Sequence, residues 1–276
     1  LGARTFPSSA RLHIPELISA VVLGLIEGIT EFLPISSTGH LLIAEHWLPR
    51  QTDLFNIVIQ CGAVLAVLPL FPQRLYKFIF ELGDRDTQNY LLKIFTAFFI
   101  TGVGGLIIEK KGLKLPEQLA PVAWALLVGG LAFVAVEFFL RGKKVSGEVT
   151  WLVVLAVGLG QLVAAIFPGA SRSGTTILVS LLLGLSRPAA TEFSFLVGIP
   201  TLLAAGALKI FKTLHHPLPT APHENWPLIL LATVVAAAVS FVVVKWLLRF
   251  VQTHTFTVFG WYRVALAAAI FAFGAR

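Results

Sequence analysis

Apolar segments of membrane-spanning length constrain this chain more than any other feature of its sequence. A helix needs about 20 largely apolar residues to cross a bilayer, and uninterrupted segments near that length cover most of the chain. They lie at residues 54–71, 91–108, 119–140, 192–210, 226–250 and 256–273. We therefore predict an all-α integral membrane protein with about six transmembrane helices.

The composition supports a membrane protein and argues against one that binds nucleic acid. The chain is 57% hydrophobic and 13% charged, whereas soluble domains carry about 25% charged residues. Its net charge is +7, but the basic residues form short clusters between apolar segments, as membrane-flanking anchors do. No continuous basic stripe is visible, so the expected partner is the lipid bilayer and no nucleic acid is expected. The single cysteine, Cys61, excludes an intrachain disulfide.

Two further apolar regions, residues 17–48 and 151–185, are broken at their centres. Pro34 and Pro168 each end a helix, and the Ser and Gly residues that follow permit a turn and a new helix start. Paired interruptions in corresponding positions point to a mid-membrane binding site in inverted-repeat folds. We therefore predict two broken re-entrant helix pairs.

The two broken regions resemble each other, which indicates an ancient duplication. Their alignment has one constant offset and pairs Glu27 with Gln161, Pro34 with Pro168 and Ser37 with Ser171. We therefore divide the chain into an N-terminal tail, 1–16, and a single transmembrane domain, 17–276, arranged as an inverted repeat. Repeat one covers approximately residues 17–140, and repeat two approximately residues 149–274.

Basic residues between the segments predict the orientation. If each broken region enters and leaves on one side, the remaining helices define alternating loops. The side richer in basic residues, which is expected to be cytoplasmic, carries Arg74, Lys77, Arg85, Lys93, Arg141, Lys143, Lys144, Lys245 and Arg249. The broken regions then enter from opposite faces and meet at the middle of the membrane.

The first break carries two acids at helical spacing. Glu27 and Glu31 share one face of a helix, one turn apart. Two carboxylates this close in a dry setting repel, and they persist where a divalent cation, an arginine or a shared proton relieves the repulsion. Mg²⁺ or Ca²⁺ suits paired carboxylates together with phosphate oxygens. A structural hydrogen-bonding pair, and a neutral acid–base pair without metal, are the alternatives.

Hydroxyl residues follow the acids and precede a new apolar helix. They are Ser36, Ser37 and Thr38, and Gly39 after them lets the backbone approach a ligand closely. The first amides of a helix favour an anion, although a helix cap without a ligand is the alternative. His40 lies one turn after Ser36, and we favour a role in proton transfer because acids and hydroxyls share its break.

The second break places one arginine among small hydroxyl residues. Around Arg172, the predicted phosphate-binding residues are Ser171, Ser173, Gly174 and Thr176. A guanidinium can bind a phosphate through two parallel hydrogen bonds. In hydrocarbon Arg172 needs an anionic partner, either a substrate or a glutamate such as Glu27, Glu31 or Glu192. A purely structural Arg–Glu pair is the alternative.

Both breaks resemble motifs of the undecaprenyl-diphosphate phosphatase family, also called bacitracin-resistance proteins. The resemblance rests on EGITEFLPISSTGH at residues 27–40 and PGASRSG at residues 168–174, and it extends from about residue 17 to the C-terminus. It implies a bacterial inner-membrane enzyme that removes the terminal phosphate of a C55 isoprenyl diphosphate. It also implies a metal-dependent site that faces the periplasm and interlocked inverted repeats.

The resemblance assigns roles to the residues of both breaks. Glu27 and Glu31 are the acidic pair and the metal ligands, Ser37 and His40 belong to the catalytic turn, and Arg172 binds the phosphate. The hypothesis is that Ser37, or a water in its place, attacks the outer phosphorus, with His40 or Glu31 transferring the proton.

Three alternatives are weighed against this hypothesis, and the third of them is a structural membrane scaffold. A polyprenyl-phosphate lipid flippase is the main alternative, because broken inverted repeats are also a transport architecture. The type 2 phosphatidate phosphatases use similar Ser-Gly-His and Ser-Arg elements, but their further arginine and distal His–Asp pair find no convincing match. The sequence leaves the lipid chain length and the oligomeric state open, with a homodimer among the alternatives.

Overall fold

A computed structural model describes residues 16–112, 118–215 and 224–273, and these residues form an all-helical protein. The all-α prediction is confirmed, whereas the predicted tail lies outside the described residues except for Glu16. In chain order the α-helices are α1 (Glu16–Thr30), α2 (Ser37–Ala44), α3 (Asp53–Val67), α4 (Pro72–Phe80), α5 (Arg85–Lys110), α6 (Leu119–Phe139), α7 (Trp151–Ile166), α8 (Arg172–Leu182), α9 (Arg187–His215), α10 (Trp226–Thr253) and α11 (Thr257–Phe273).

Several of these helices have the length and composition of membrane spans. Within the described ranges, five stretches are long and apolar enough to cross a bilayer: Asp53–Leu70, Arg85–Lys110, Leu119–Phe139, Arg187–Thr213 and Trp226–Thr253. The apolar helices α7 and α11 are shorter. The chain is therefore a multi-pass helical membrane protein.

Local capping and composition explain where the helices differ from the predicted segments. α5 begins several residues before the predicted start because the Asp84 side chain accepts the backbone N–H of Thr87 at 3.0 Å. The same hydrogen bond lowers the pKa of the exposed Asp84 carboxyl, since it favours the charged form. α9 continues through Pro200. The short helix α4 is not predicted, because basic residues interrupt its apolar ones.

Glu137, near the end of α6, ties several chain segments together at one end of the helical bundle. Its carboxylate accepts hydrogen bonds from Arg187 Nε at 2.9 Å, at the start of α9, and from the Phe256 backbone N–H at 2.8 Å, just before α11. Tyr90 of α5 donates to Glu192 of α9 at 3.4 Å nearby. This end, named the Glu137 end below, thus holds the starts of α5 and α9 and the end of α10.

Small residues bring α1 into close contact with α10. A Cβ added at Gly24 would lie 2.6 Å from the carbonyl oxygen of Ala232, and one at Gly28 would lie 2.7 Å from that of Ala236. Glycines at such spacing let helix backbones approach closely in membranes. Because both sets of residue numbers rise together, α1 and α10 run in the same direction.

The second broken region packs along α5 in a similar way. A Cβ added at Gly158 of α7 would lie 2.9 Å from the Ile100 side chain, and Gln161 Nε2 donates to Thr101 Oγ1 at 2.8 Å. α7 and α5 therefore also run in the same direction. Each broken region packs along a helix from the other half of the chain.

The two breaks lie where the sequence predicts them, and each new helix is capped by a strained serine. Ser36 has a φ of 74° and Ser171 a φ of 68°. Their side chains accept the backbone N–H of Gly39 at 3.3 Å and of Gly174 at 3.1 Å. Positive φ is uncommon for serine and costs about 1–3 kcal/mol. The caps pair Ser36 with Ser171, whereas the sequence alignment pairs Ser37 with Ser171.

Candidate active site

The two breaks contact each other directly. Ser173 Oγ, in the second break, donates to the carbonyl oxygen of Leu33 in the first at 3.1 Å. Arg172 Nη2 donates to Glu31 Oε1, also at 3.1 Å. Side chains that are far apart in the sequence therefore form one cluster, contributed by the turn after α1, by α2 and by α8.

Glu31 is the centre of this cluster. Its Oε2 accepts hydrogen bonds from Ser37 Oγ at 2.7 Å and from Gln60 Nε2 at 3.0 Å, while Oε1 faces Arg172. These donors hold the buried carboxylate in one orientation. The Ser37 hydroxyl consequently points its proton at a group that can act as a base.

Arg172 is only partly used by its contact with Glu31. Its Nε and Nη1 atoms are buried, and neither has a hydrogen-bond partner among the described residues. The guanidinium carbon lies 5.8 Å from the centre of the Phe32 ring, and the missing side chain of Gly198 leaves it room on α9. Buried N–H groups without a partner are costly, so these donors are suited to an anionic ligand.

The sequence left three glutamates as partners for this arginine, and the structure places Glu31 in contact. Glu192 instead binds Arg74, whose Nε donates to Glu192 Oε1 at 2.7 Å. That pair lies at the Glu137 end, beside α4, where the charge of Glu192 is compensated without Arg172.

Glu27 lies one turn before Glu31 and is only 1% exposed. Neither of its carboxylate oxygens has a hydrogen-bond partner within the described part of the chain. Two such oxygens beside a second carboxylate fit a divalent cation, since Mg²⁺ binds through one or two carboxylates and completes its shell with water and phosphate oxygens. In the described residues no group of three or more His, Cys, Asp and Glu side chains forms a metal site by itself. The donor set therefore fits a cation that also binds the substrate.

The hydroxyls of the first break occupy different environments. Ser36 serves as the cap of α2 and Ser37 contacts Glu31. Thr38 is exposed, and the amide of Gly39 is bonded to the cap. The first break thus presents one hydroxyl to the buried carboxylate and one to the exterior.

The second break uses most of its polar atoms within the protein. Ser171 caps α8 and binds the amide of Gly174. Ser173 contacts the first break, as described above. Thr176 Oγ1 donates to the carbonyl oxygen of Arg172 at 2.8 Å and shares a short hydrogen bond with the Ser194 hydroxyl. Phosphate binding by these side chains stays a prediction, and Arg172 is the member of this break with free donors.

His40 lies beside the cluster and contacts α11. Its Nδ1 donates to the carbonyl oxygen of Ser36 at 2.7 Å, and in the neutral ring Nε2 then accepts from the Tyr262 hydroxyl, also at 2.7 Å. The two rings are nearly parallel, 5.7 Å apart. Within the described residues His40 forms no hydrogen bond with Glu31, Ser37 or Arg172, so proton transfer by His40 stays a prediction.

Arg263 of α11 is a buried residue that the sequence analysis missed. It is fully buried and donates only to backbone carbonyl oxygens of the described residues. The acceptors lie in the first break, the second break and α6: Pro34 at 3.2 Å, Gly169 at 3.1 Å, Ala170 at 3.0 Å, Ala125 at 3.1 Å and Leu126 at 3.4 Å. A lone charge inside an apolar segment was the signal that could have found it.

Comparison with known proteins identifies the family. A family model described as bacitracin resistance protein BacA matches residues 20–269, a range that contains both breaks. The chain belongs to the BacA family. The expected resemblance to bacitracin-resistance proteins is thereby confirmed.

Curated relatives resemble the chain over nearly its whole length. A protein of Xanthomonas oryzae pv. oryzae (strain PXO99A) named undecaprenyl-diphosphatase is 51% identical over 92% of this chain and 96% of its own length. Proteins of the same name from Xanthomonas campestris pv. campestris (strain 8004) and Xylella fastidiosa (strain 9a5c) are 50% and 48% identical, each over 92% of this chain and 97% of their own length.

Proposed function

We propose that this BacA-family chain is a membrane phosphatase that hydrolyses undecaprenyl diphosphate to undecaprenyl phosphate and inorganic phosphate. It would thereby recycle the lipid carrier of cell-wall synthesis in the bacterial inner membrane. Relatives about 50% identical carry the name of this enzyme, and the chain covers almost all of their length. The flippase alternative is not favoured, because transport alone requires no hydroxyl bonded to a buried carboxylate.

The observation that carries the proposal is the arrangement of Arg172, Glu31 and Ser37. Arg172 offers buried N–H groups without a partner beside a hydroxyl that donates to a carboxylate at 2.7 Å. Cationic donors stabilise the charge of a transferring phosphoryl group, and positioning with charge neutralisation supplies most of the catalysis in such reactions.

In the proposed reaction, Arg172 binds the terminal phosphate and Glu31 accepts the Ser37 proton on Oε2. Ser37 Oγ forms a bond to the terminal phosphorus while the bond from that phosphorus to the bridging oxygen breaks, and undecaprenyl phosphate leaves. A water then attacks the phosphorus of the phosphoserine, and the bond from phosphorus to Oγ breaks. Glu31 returns its proton to Oγ, and inorganic phosphate departs with the protons of the water. Direct attack by a water that donates to Glu31 is the alternative. The Ser37–Glu31 hydrogen bond favours Glu31 over His40 as the base.

A divalent cation, Mg²⁺ or Ca²⁺, would be held by Glu27 and Glu31. When bound it would neutralise negative charge on the diphosphate oxygens. The buried, unpartnered oxygens of Glu27 support this assignment. His40, oriented by Ser36 and Tyr262, would complete the polar lining.

We also infer that the two broken regions are re-entrant pairs of an inverted repeat. α5 starts at the Glu137 end and α10 finishes there, so the two helices run in opposite directions. α7 runs in the same direction as α5, and α1 runs in the same direction as α10, as their glycine contacts indicate. The two regions would therefore enter from opposite membrane faces.

The Glu137 end carries the richer set of basic residues, which supports a cytoplasmic location for it and a periplasmic opening for the first break. A homodimer stays a prediction.

Release of inorganic phosphate by the purified protein in detergent tests the proposed function. We expect release from farnesyl diphosphate or undecaprenyl diphosphate, because detergent micelles provide no second compartment and transport would give no product. Folded protein that releases no phosphate from either lipid would contradict the proposal and favour the flippase.

Removal of cations tests the metal assignment in the same assay. We expect EDTA to abolish release and added Mg²⁺ or Ca²⁺ to restore it. Release that continues in EDTA would contradict the cation and leave the two glutamates as acid–base groups.

A further inference from the structure

A polar cavity lies at the Glu137 end, apart from the cluster at the breaks. Its volume is about 320 Å³, and it is lined by α4, the first turns of α5 and residues 147–149 before α7. Its basic and neutral polar side chains are Arg74, Lys77, Thr87, Asn89, Tyr90 and Lys93. The catalytic proposal uses none of them.

Lys93 is the unusual member of this set. It is only 7% exposed, and in the described part of the chain no carboxylate lies within ion-pair distance of it. Its ammonium group lies 5.9 Å from the centre of the Trp151 ring. The buried part is its aliphatic stem, because Lys93 Nζ is not among the buried atoms that lack a hydrogen-bond partner, so the ammonium group reaches the cavity. An unpaired ammonium that lines a cavity therefore favours an anion within that cavity.

The other charges around the cavity are partly compensated. Arg74 is bonded to Glu192 and lies 4.2 Å from the centre of the Tyr90 ring. Asp86 and Glu148 also line the cavity, but neither forms an ion pair with Lys93 among the described residues. The ammonium groups of Lys77 and Lys93 thus remain available to a ligand.

α4 gives the cavity a border with the membrane. Arg74 and Lys77 line the cavity, whereas Tyr76, Ile79 and Phe80 of the same helix are exposed. A helix with basic residues on one side and exposed large apolar residues on the other is suited to the membrane–water interface. Basic pockets between helices at this depth bind the headgroups of anionic lipids.

We propose that this cavity binds the phosphate group of a membrane lipid, with Lys93 and Lys77 as its cationic ligands. Asn89 and Tyr90 add neutral donors, and the apolar residues of α4 lie beside the acyl chains. The site lies at the end of the molecule opposite to the proposed opening of the first break, so it is separate from the proposed catalytic site.

Titration with short-chain lipids tests the cavity directly. The full-length protein is studied in non-ionic detergent with Arg172→Ala, so that phosphate binding at the breaks does not contribute. The probes are dihexanoyl phosphatidylglycerol, dihexanoyl phosphatidylcholine and inorganic phosphate, and the readout is the melting temperature, which a ligand of the folded state raises.

We expect phosphatidylglycerol to raise the melting temperature to a saturating value and phosphatidylcholine to raise it less. Lys93→Gln should weaken the apparent affinity for phosphatidylglycerol by about tenfold or more, as expected for loss of a charge-assisted contact. Lys93→Arg should retain binding. Lys144→Gln is the matched control, since it removes an exposed charge near the same end, outside the cavity.

Each result decides the proposal. A response to phosphatidylglycerol that Lys93→Gln leaves unchanged, or no saturable response, would overturn it. Inorganic phosphate could raise the melting temperature as much as phosphatidylglycerol does, with Lys93→Gln removing that rise. This result would keep the phosphate site but overturn a lipid as the source of the phosphate. Phosphate release by the single variant Lys93→Gln confirms that it folds, and the binding readout does not depend on catalysis.

Discussion

Single buried side chains hold the two breaks in contact. Ser173 and Arg263 together bond the carbonyl oxygens of Leu33, Pro34, Gly169 and Ala170. Helix breaks leave backbone carbonyl groups without helical partners, and in a bilayer such groups must be satisfied inside the protein. These two side chains therefore supply donors that the broken backbone needs, and they fix the breaks relative to each other.

Ser173→Ala tests the structural role of this hydroxyl against its predicted role in substrate binding. We expect a loss of about 1–2 kcal/mol in the free energy of unfolding, because the buried Leu33 carbonyl loses a donor. The measurement is thermal or denaturant unfolding in detergent, with Thr38→Ala, an exposed hydroxyl, as the control. Unchanged stability together with a raised KM would instead assign Ser173 to the substrate.

The sequence predicted residues of the cluster better than it predicted their partners. Glu31 and Arg172 stood out because charges at membrane depth are costly, yet Arg172 had three candidate glutamates, and only the fold selects among them. Gln60 and Tyr262 were missed because an isolated polar residue in an apolar segment does not reveal which distant helix it faces. Arg263 was missed although it gave the stronger signal of a charge.

Among the helices, contacts between α1 and α10 position the first break. Gly24 and Gly28 allow the backbones to meet, and Ser240 of α10 donates to the Gly28 carbonyl oxygen at 3.0 Å. Larger side chains at these glycines would separate the helices. The position of Glu27, between the two glycines, depends on this contact.

Gly24→Val should destabilise the protein and reduce phosphate release. Its side chain would meet the Ala232 carbonyl oxygen, and such overpacking typically costs about 1–3 kcal/mol. Gly102→Ala is the matched control, because nothing lies within 4 Å of its added Cβ, and alanine is about 1 kcal/mol more favourable than glycine in a helix. We therefore expect a lower melting temperature for the first variant and an equal or higher one for the second. Equal stability of Gly24→Val and the wild type would contradict the close packing.

Hydropathy predicted that the long helices exist, but it predicted neither their boundaries nor the short helix α4. Long apolar runs predict helices because few other structures satisfy the backbone in lipid. Boundaries depend on caps such as Asp84, which lie outside the apolar runs. α4 is too polar for a hydropathy criterion, and its position depends on contacts at the Glu137 end.

At the scale of the whole molecule, the proposed orientation makes a labelling prediction. The chain contains one cysteine, Cys61, so Cys61→Ala provides a background for single introduced cysteines. With the Glu137 end in the cytoplasm, a membrane-impermeant maleimide should label Thr38→Cys and Lys111→Cys in intact cells with a permeable outer membrane. It should label Lys144→Cys only after the inner membrane is permeabilised. The reverse pattern would place the first break on the cytoplasmic side.

The similarity of the two broken regions was visible in the sequence, which also predicted that the breaks meet, but not which atoms meet. The aligned prolines predicted two breaks, whereas the contact between Ser173 and Leu33 depends on how both halves pack together. The strained caps pair Ser36 with Ser171, which is one residue away from the pairing given by the constant offset of the sequence alignment. The sequence thus indicates equivalence between the halves, and the structure shows which atoms meet.

A double-mutant cycle between Glu31 and Arg172 tests most directly that both breaks act on one phosphate. The measured quantity is kcat/KM for phosphate release from an isoprenyl diphosphate by the wild type, Glu31→Gln, Arg172→Gln and the double variant. Since the two side chains are hydrogen-bonded, we predict large losses in both single variants and a coupling free energy of about 0.5–3 kcal/mol. Losses that simply multiply, or a wild-type rate in either single variant, would contradict a shared site.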